Sequence, residues 1–158
     1  MNLAITAMKD MDAWQIDYVM AYLNARPQAT IYIELLDGAK VKEKMGLLQK
    51  SLYSTMDGVA NWWEMLDRDM KELGYRQLRA DPSVCSQHVD GETTVTSTYI
   101  DDMTSISSTK EGAEKMKAEL GWRYKMKDLG KASLVLGIKI ERDREAGLIS
   151  ISQCAYLK

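Results

Sequence analysis

The 158-residue sequence predicts an α+β fold in which helices cover one face of an antiparallel sheet, and three observations carry that prediction. Two strand-like runs, "SVCSQHV" and "TTVTSTYI", are joined by Asp90-Gly91, a strong hairpin signal. Val59, Trp62, Trp63, Leu66, Met70 and Leu73 follow the three-and-four spacing of an amphipathic helix, closed by Gly74. A further hairpin, "SLVLGIKIERDREAGLISIS", turns at Ala146-Gly147.

In chain order, Leu3, Ala7 and Met11 recur at spacing four, so residues 1–13 read as the tail of a helix. It gives way to "WQIDYVMAYLNARP", which Pro27 ends. "TIYIEL" (30–35) alternates apolar and polar positions as a short strand, and Asp37-Gly38 follows as a turn. Trp62 and Trp63 sit on a periodic apolar stripe, which assigns them to core packing rather than to a base-stacking platform. "MTSIS" resumes strand composition after Asp101-Asp102, placing the acidic pair on the tip of a tight hairpin. Residues 110–121 read as a helix with Ala113, Met116 and Leu120 on one face, and Ser152 as the cap of a last helix. The expected order is α, β, α, β, β, α, β, β, in a single domain over residues 1–158.

A hydrophobic content of 46% excludes a disordered tail, and 21 Lys and Arg against 23 Asp and Glu exclude an overall basic surface. Two segments lean positive. Residues 38–53 hold Lys40, Lys42, Lys44 and Lys50 against Glu43, and residues 110–131 hold seven basic against four acidic side chains. Each reads by itself as a solvated face. Cys85 and Cys154 match no metal-ligand spacing and are expected to be buried free thiols. His88 is the sole histidine, which argues against His-based triads and zinc clusters, so any catalysis must run on carboxylates. No run approaches the roughly 18–20 apolar residues of a spanning helix, and no cleavable signal precedes the first polar residues.

The stretch "TYIDDM" (98–103) raises the chemical question, because two adjacent carboxylates repel and need either free water or a cation. Strand alternation puts Asp101 on the face of Tyr99, with Asp102 pointing elsewhere unless the turn re-aims it. Magnesium is usually held by one or two carboxylates together with substrate phosphates and water, so a second strand must supply a partner. Asp17, an acid within the otherwise apolar "IDYVMAYL", is the best candidate upstream. An acidic turn taken alone is most often only a soluble turn.

Six segments in order resemble the reverse transcriptase of copia-type long-terminal-repeat retrotransposons. They are "QIDYVMAYLNA" (15–25), "LQKSLYSTMDGVANWW" (48–63), "LGYRQLRADPSVC" (73–85), "TYIDDM", "YKMKDLGKASLVLGIKIERD" (124–143) and "ISQCAYL" (151–157). The resemblance implies a right-hand polymerase palm in which Asp17, Asp101 and Asp102 are the catalytic acids. Asp17 and Asp101 would ligate two Mg²⁺ ions, with Mn²⁺ as a substitute, and Asp102 would sit one step further out. The implied reaction adds deoxynucleotides to a primer 3′-hydroxyl and needs no protein nucleophile. Tyr22 stands where the family carries an aromatic side chain under the incoming sugar, although an ordinary core tyrosine fits the position nearly as well. The resemblance further implies a metal contact from the Tyr18 carbonyl, Tyr99 facing the primer end, and Tyr53, Ser54 and the residues to Asp57 beside the nucleotide.

It also implies an RNA or DNA template with its primer, dNTPs, the rest of a Gag-Pol type polyprotein that serves DNA integration, and no membrane. The setting would be intracellular, in a cytoplasmic virus-like particle or the nucleus. The chain is expected to start inside the helix before Asp17, so that the basic fingers segment is largely missing. Its end near 151–158 is expected to begin the thumb connection. Ser54 and Ala25 stand where glycine is common in the family, and Val19 and Met20 where polar residues are. These departures keep open a catalytically inactive, truncated relic with only the palm fold and weak metal or nucleic-acid binding. A third reading, an acidic-loop metal-binding module of other ancestry, expects Asp17 to lie far from Asp101.

Overall fold

A computed structural model describes residues 2–35, 38 and 45–154. The elements in chain order are α1 (Asn2–Met8), β1 (Asp12–Tyr18), α2 (Ala21–Asn24), β2 (Tyr32–Glu34), β3 (Met45–Leu47), α3 (Gly58–Glu72), β4 (Arg76–Gln77), β5 (Val84–Val89), β6 (Glu92–Tyr99), β7 (Asp102–Ser107), α4 (Lys110–Arg123), β8 (Met126–Lys131), β9 (Leu134–Val135), β10 (Ile138–Asp143) and β11 (Leu148–Ser152). They fall into two compact units, Met1–Val19 with Met70–Lys158, and Met20–Asp69.

The first unit is built on a six-stranded sheet of order β4-β5-β6-β7-β1-β8, paired antiparallel throughout. Opposed residues share a face, so the register sorts the side chains. One face carries Val84, Val95 and Ile106, a buried cluster against which Ile5 of α1, Met11, Ala13 and Leu78 pack. The other carries Trp14, Ile16, Tyr18, Met103 and Ser107, and α4 covers it with Ala113, Met116 and Leu120. Helices therefore lie on both faces, not on one as expected: the central strands are apolar on both sides, and each side has to be shielded from water. Gly112 seats α4, since a Cβ there would stand 2.6 Å from Ser107 Oγ. Thr109 caps this helix by accepting from Gly112 N at 3.0 Å while donating to Glu92 at 2.8 Å. A second, three-stranded sheet of order β11-β10-β9 completes the unit.

Several expectations are corrected. The first helix stops at Met8 rather than running to residue 13, because Asp10 turns left-handed at φ 49° and β1 starts at Asp12. β1 lies between β7 and β8 with Trp14, Gln15, Ile16 and Tyr18 all buried, which erases the alternation that marks a half-exposed strand. Ser152 ends a strand instead of capping a helix. Cys154 is exposed, while Cys85 is buried. The expected Asp37-Gly38 turn rests on Asp37, which lies outside the described residues, as do Lys40, Lys42 and Lys44.

In the second unit the residues after β1 form the single turn α2, and β2 pairs with β3. Tyr22 is buried and stacks on Tyr53 with ring centroids 4.3 Å apart. On α3, Trp62, Leu66 and Met70 are buried at successive fourth positions, and Gly74 at φ 86° follows its last turn. Among the described residues no helix is long and apolar enough to cross a membrane.

Candidate metal-binding carboxylate site

Four residues line up across four strands of the large sheet. Tyr99 of β6 opposes Asp102 of β7, Asp102 opposes Asp17 of β1, and Asp17 opposes Lys127 of β8. All four side chains thus emerge on one face. Tyr18 N donates to the Asp101 carbonyl at 2.7 Å. That rung flanks the Asp17–Asp102 pair and makes it a non-hydrogen-bonded pair, the type in which opposed side chains approach most closely. Two carboxylates so placed destabilise the sheet unless a cation or a proton joins them.

The electrostatics follow this geometry. Asp102 holds its proton above the usual carboxylate range, first because of burial and then because of the Asp17 and Asp101 charges, against a lowering hydrogen bond with Gln15. Asp17 is relieved from the other side, where Lys127 Nζ donates to its Oδ2 at 3.0 Å. The three acids lie within mutual electrostatic reach in one unit, as the carboxylate reading of the sequence required and the third reading did not.

Placement corrects the finer expectation. Tyr99 shares its face with Asp102 rather than with Asp101, because Ile100 and Asp101 form the turn itself and alternation does not pass through a turn. Only Ile100 of the two has positive φ, at 56°, the pattern of a II′ turn, whose first loop position favours glycine. A β-branched residue there is strained. The Tyr18 side chain points to the opposite face, buried against Tyr124 and donating to Met103 Sδ at 3.5 Å. Tyr22, Tyr53 and Ser54 belong to the other unit, where Ser54 adopts φ 69°.

Sequence reasoning missed Lys127 and Gln15. The signal for Lys127 was present in "YKMKDLGK", but its partner depends on a register that no local pattern reveals.

The donor set suits a hard divalent cation. Among the described residues no group of three or more His, Cys, Asp or Glu is arranged to hold a metal by itself. Magnesium does not ask for such a cage, since it is usually bound by one or two carboxylates, waters and substrate phosphates. Asp17 and Asp102 offer that partial shell, with Asp101 one turn residue away.

An antiparallel sheet presenting paired acids at a hairpin defines a carboxylate-based site of the divalent-metal class. The chain belongs to the reverse transcriptase (RNA-dependent DNA polymerase) family, whose profile matches residues 1–158. It is 31% identical over 160 residues to the "Retrovirus-related Pol polyprotein from transposon TNT 1-94" of Nicotiana tabacum, a match covering 99% of this chain and 12% of that protein. It is 25% identical over 146 residues to a transposon Ty5-1 protein of Saccharomyces cerevisiae, covering 90% of this chain and 47% of that one. The chain thus spans less than half the length of either relative. No solved structure matches it.

Proposed function

We propose that this chain is the palm of a copia-type retrotransposon reverse transcriptase and that it retains RNA-directed DNA polymerase chemistry. One observation carries the reading: Asp17 and Asp102 stand directly opposed in a narrow cross-strand pair, with Asp101 in the adjoining turn. Asp17, Asp101 and Asp102 would hold the cations. Bound there, two Mg²⁺ ions would lower the pKa of the primer hydroxyl and neutralise the departing pyrophosphate. The protein's own share is placement. The β6–β7 hairpin fixes the acids on a sheet face that Tyr99, 60% exposed, leaves open to a nucleic-acid end. Roles for Tyr22, Tyr53 and Ser54 beside the nucleotide, and for the Tyr18 carbonyl, rest on family resemblance alone. Partners on this reading are a primed RNA or DNA template, dNTPs and the rest of a Gag-Pol type polyprotein, in a cytoplasmic particle or the nucleus.

A second reading, an inactive relic, draws support from the left-handed backbone at Ser54, a position where the family commonly has glycine. Primer extension on an RNA template with Mg²⁺ separates the two. Extension by the wild-type chain, abolished by Asp17→Asn and by Asp101→Asn, is the expected result. Extension that survives Asp101→Asn overturns the assignment, and a wild-type chain that extends nothing favours the relic.

A further inference from the structure

The edge strand β8 contains an irregularity whose position matters. Its pairing with β1 runs Lys131 to Trp14 and Gly130 to Gln15, then jumps so that Asp128 meets Ile16 and Lys127 meets Asp17. Leu129 is the extra residue of a β-bulge, and Gly130 beside it takes φ 76° with nothing near the place a Cβ would occupy. Without the bulge the register would continue one residue further along. Leu129 would oppose Ile16, and Asp128 would oppose Asp17, which already faces Asp102 on its other side. The bulge therefore replaces a third carboxylate in the row with an ammonium.

The displaced acid is held on the opposite face. Lys117 of α4, its side chain only 8% exposed, donates to Asp128 Oδ2 at 2.8 Å and lies 4.1 Å from the Trp14 ring centroid. Asp128 Oδ1 accepts from Gly130 N at 2.9 Å, closing the bulge on itself. Asp128 is thereby anchored behind the sheet and Lys127 is presented in front of it. The Lys127 side chain is 66% exposed, so its ammonium can swing into water on a flexible stem.

We infer that Lys127 is the resident counter-ion of the carboxylate site, occupying the cation position beside Asp17 until a divalent metal displaces it. This rests on the polymerase reading of the same acids and deepens it. The ammonium keeps the opposed Asp17–Asp102 pair tolerable in the metal-free chain. It also lowers the site's affinity for free metal, so that firm loading waits for the phosphates of an incoming triphosphate to supply the remaining ligands.

Mn²⁺ alone, without nucleic acid or nucleotide, tests this by electron paramagnetic resonance of the free ion. Lys127→Gln should bind Mn²⁺ roughly two- to fivefold more tightly than wild type, the range of an exposed ion pair. Lys127→Arg, which keeps the charge, should bind as wild type does, and Asp17→Asn should weaken binding in either background. Equal or weaker binding by Lys127→Gln, while Asp17→Asn still loses metal, overturns the role of Lys127 and leaves the polymerase reading standing. Mn²⁺ binding that ignores Asp17 in both wild type and Lys127→Gln overturns both.

Discussion

The two ends of strand β6 are closed by two-residue turns of opposite character. At one end Asp90 and Gly91 take φ values of 52° and 81°, the double positive of a type I′ turn, and the residues are those the geometry favours. At the other end Ile100 takes φ 56° and is followed by Asp101, a β-branched residue where glycine belongs and a carboxylate beside two more. The first turn obeys local sequence rules and does nothing but reverse the chain. The second violates them, and it is the one that carries the acids. Strain concentrated at one of two otherwise equivalent turns marks where structure serves something besides stability.

The comparison can be broken at the relaxed turn. A Cβ at Gly91 would meet no atom within 4 Å, so Gly91→Val tests backbone conformation without adding a clash. It should lower unfolding free energy by about 2 kcal/mol, the cost of a β-branched residue in the left-handed region. Urea denaturation followed by circular dichroism measures it. Primer extension per folded molecule should be unchanged, because this turn lies at the other end of the strand from the acids.

Relieving the strained turn sharpens the contrast in the other direction. Asn tolerates left-handed φ far better than Ile, and Ile100 is 38% exposed and loses little buried surface on replacement. Ile100→Asn should raise stability by about 1 kcal/mol in the same denaturation experiment. If the strain fixes the direction of Asp101, the same variant loses primer extension while it gains stability, a trade that a merely awkward turn would not produce.

Legibility in the sequence divided along similar lines. The Asp90-Gly91 hairpin, α3 with its closing Gly74 and the β10–β11 hairpin could be read because pattern and turn chemistry agreed locally. β1 could not, since a strand buried on both sides shows no alternation, and β8 could not, since it is a polar edge strand interrupted by a bulge. Both faults fall on the candidate site. Asp17, Asp101 and Asp102 were found through their chemistry and company, but which carboxylate faces which followed only from register. Two departures from the family pattern also gain a physical meaning. Met20 and Ser54 take φ values of 54° and 69°, where a small polar residue or glycine sits more easily, whereas Ala25 at φ −83° replaces glycine without backbone cost.

The smallest expected effect concerns the charge of the opposed pair. Asp102 has a folded-state pKa raised above 3.8 by burial, then by Asp17, then by Asp101. Its charged form is therefore disfavoured by folding. Wild type carries that penalty at pH values above the folded-state pKa and sheds it as pH falls through that value toward 3.8, where the carboxyl is protonated in the folded and unfolded chain alike. Asp102→Asn has no such charge and keeps a hydrogen-bonding group toward Gln15. The variant should be more stable than wild type at neutral pH in metal-free buffer by less than about 1 kcal/mol, the scale of like charges opposed across strands near water. The difference should vanish as the acid limit is approached. Adding Mg²⁺ should stabilise wild type more than the variant and so narrow or reverse the neutral-pH gap, because the cation resolves the repulsion that Asn removes. A gap that is independent of pH would mean that the Asp17–Asp102 repulsion is already quenched in the metal-free chain, with Lys127 as the only cation in the row to quench it.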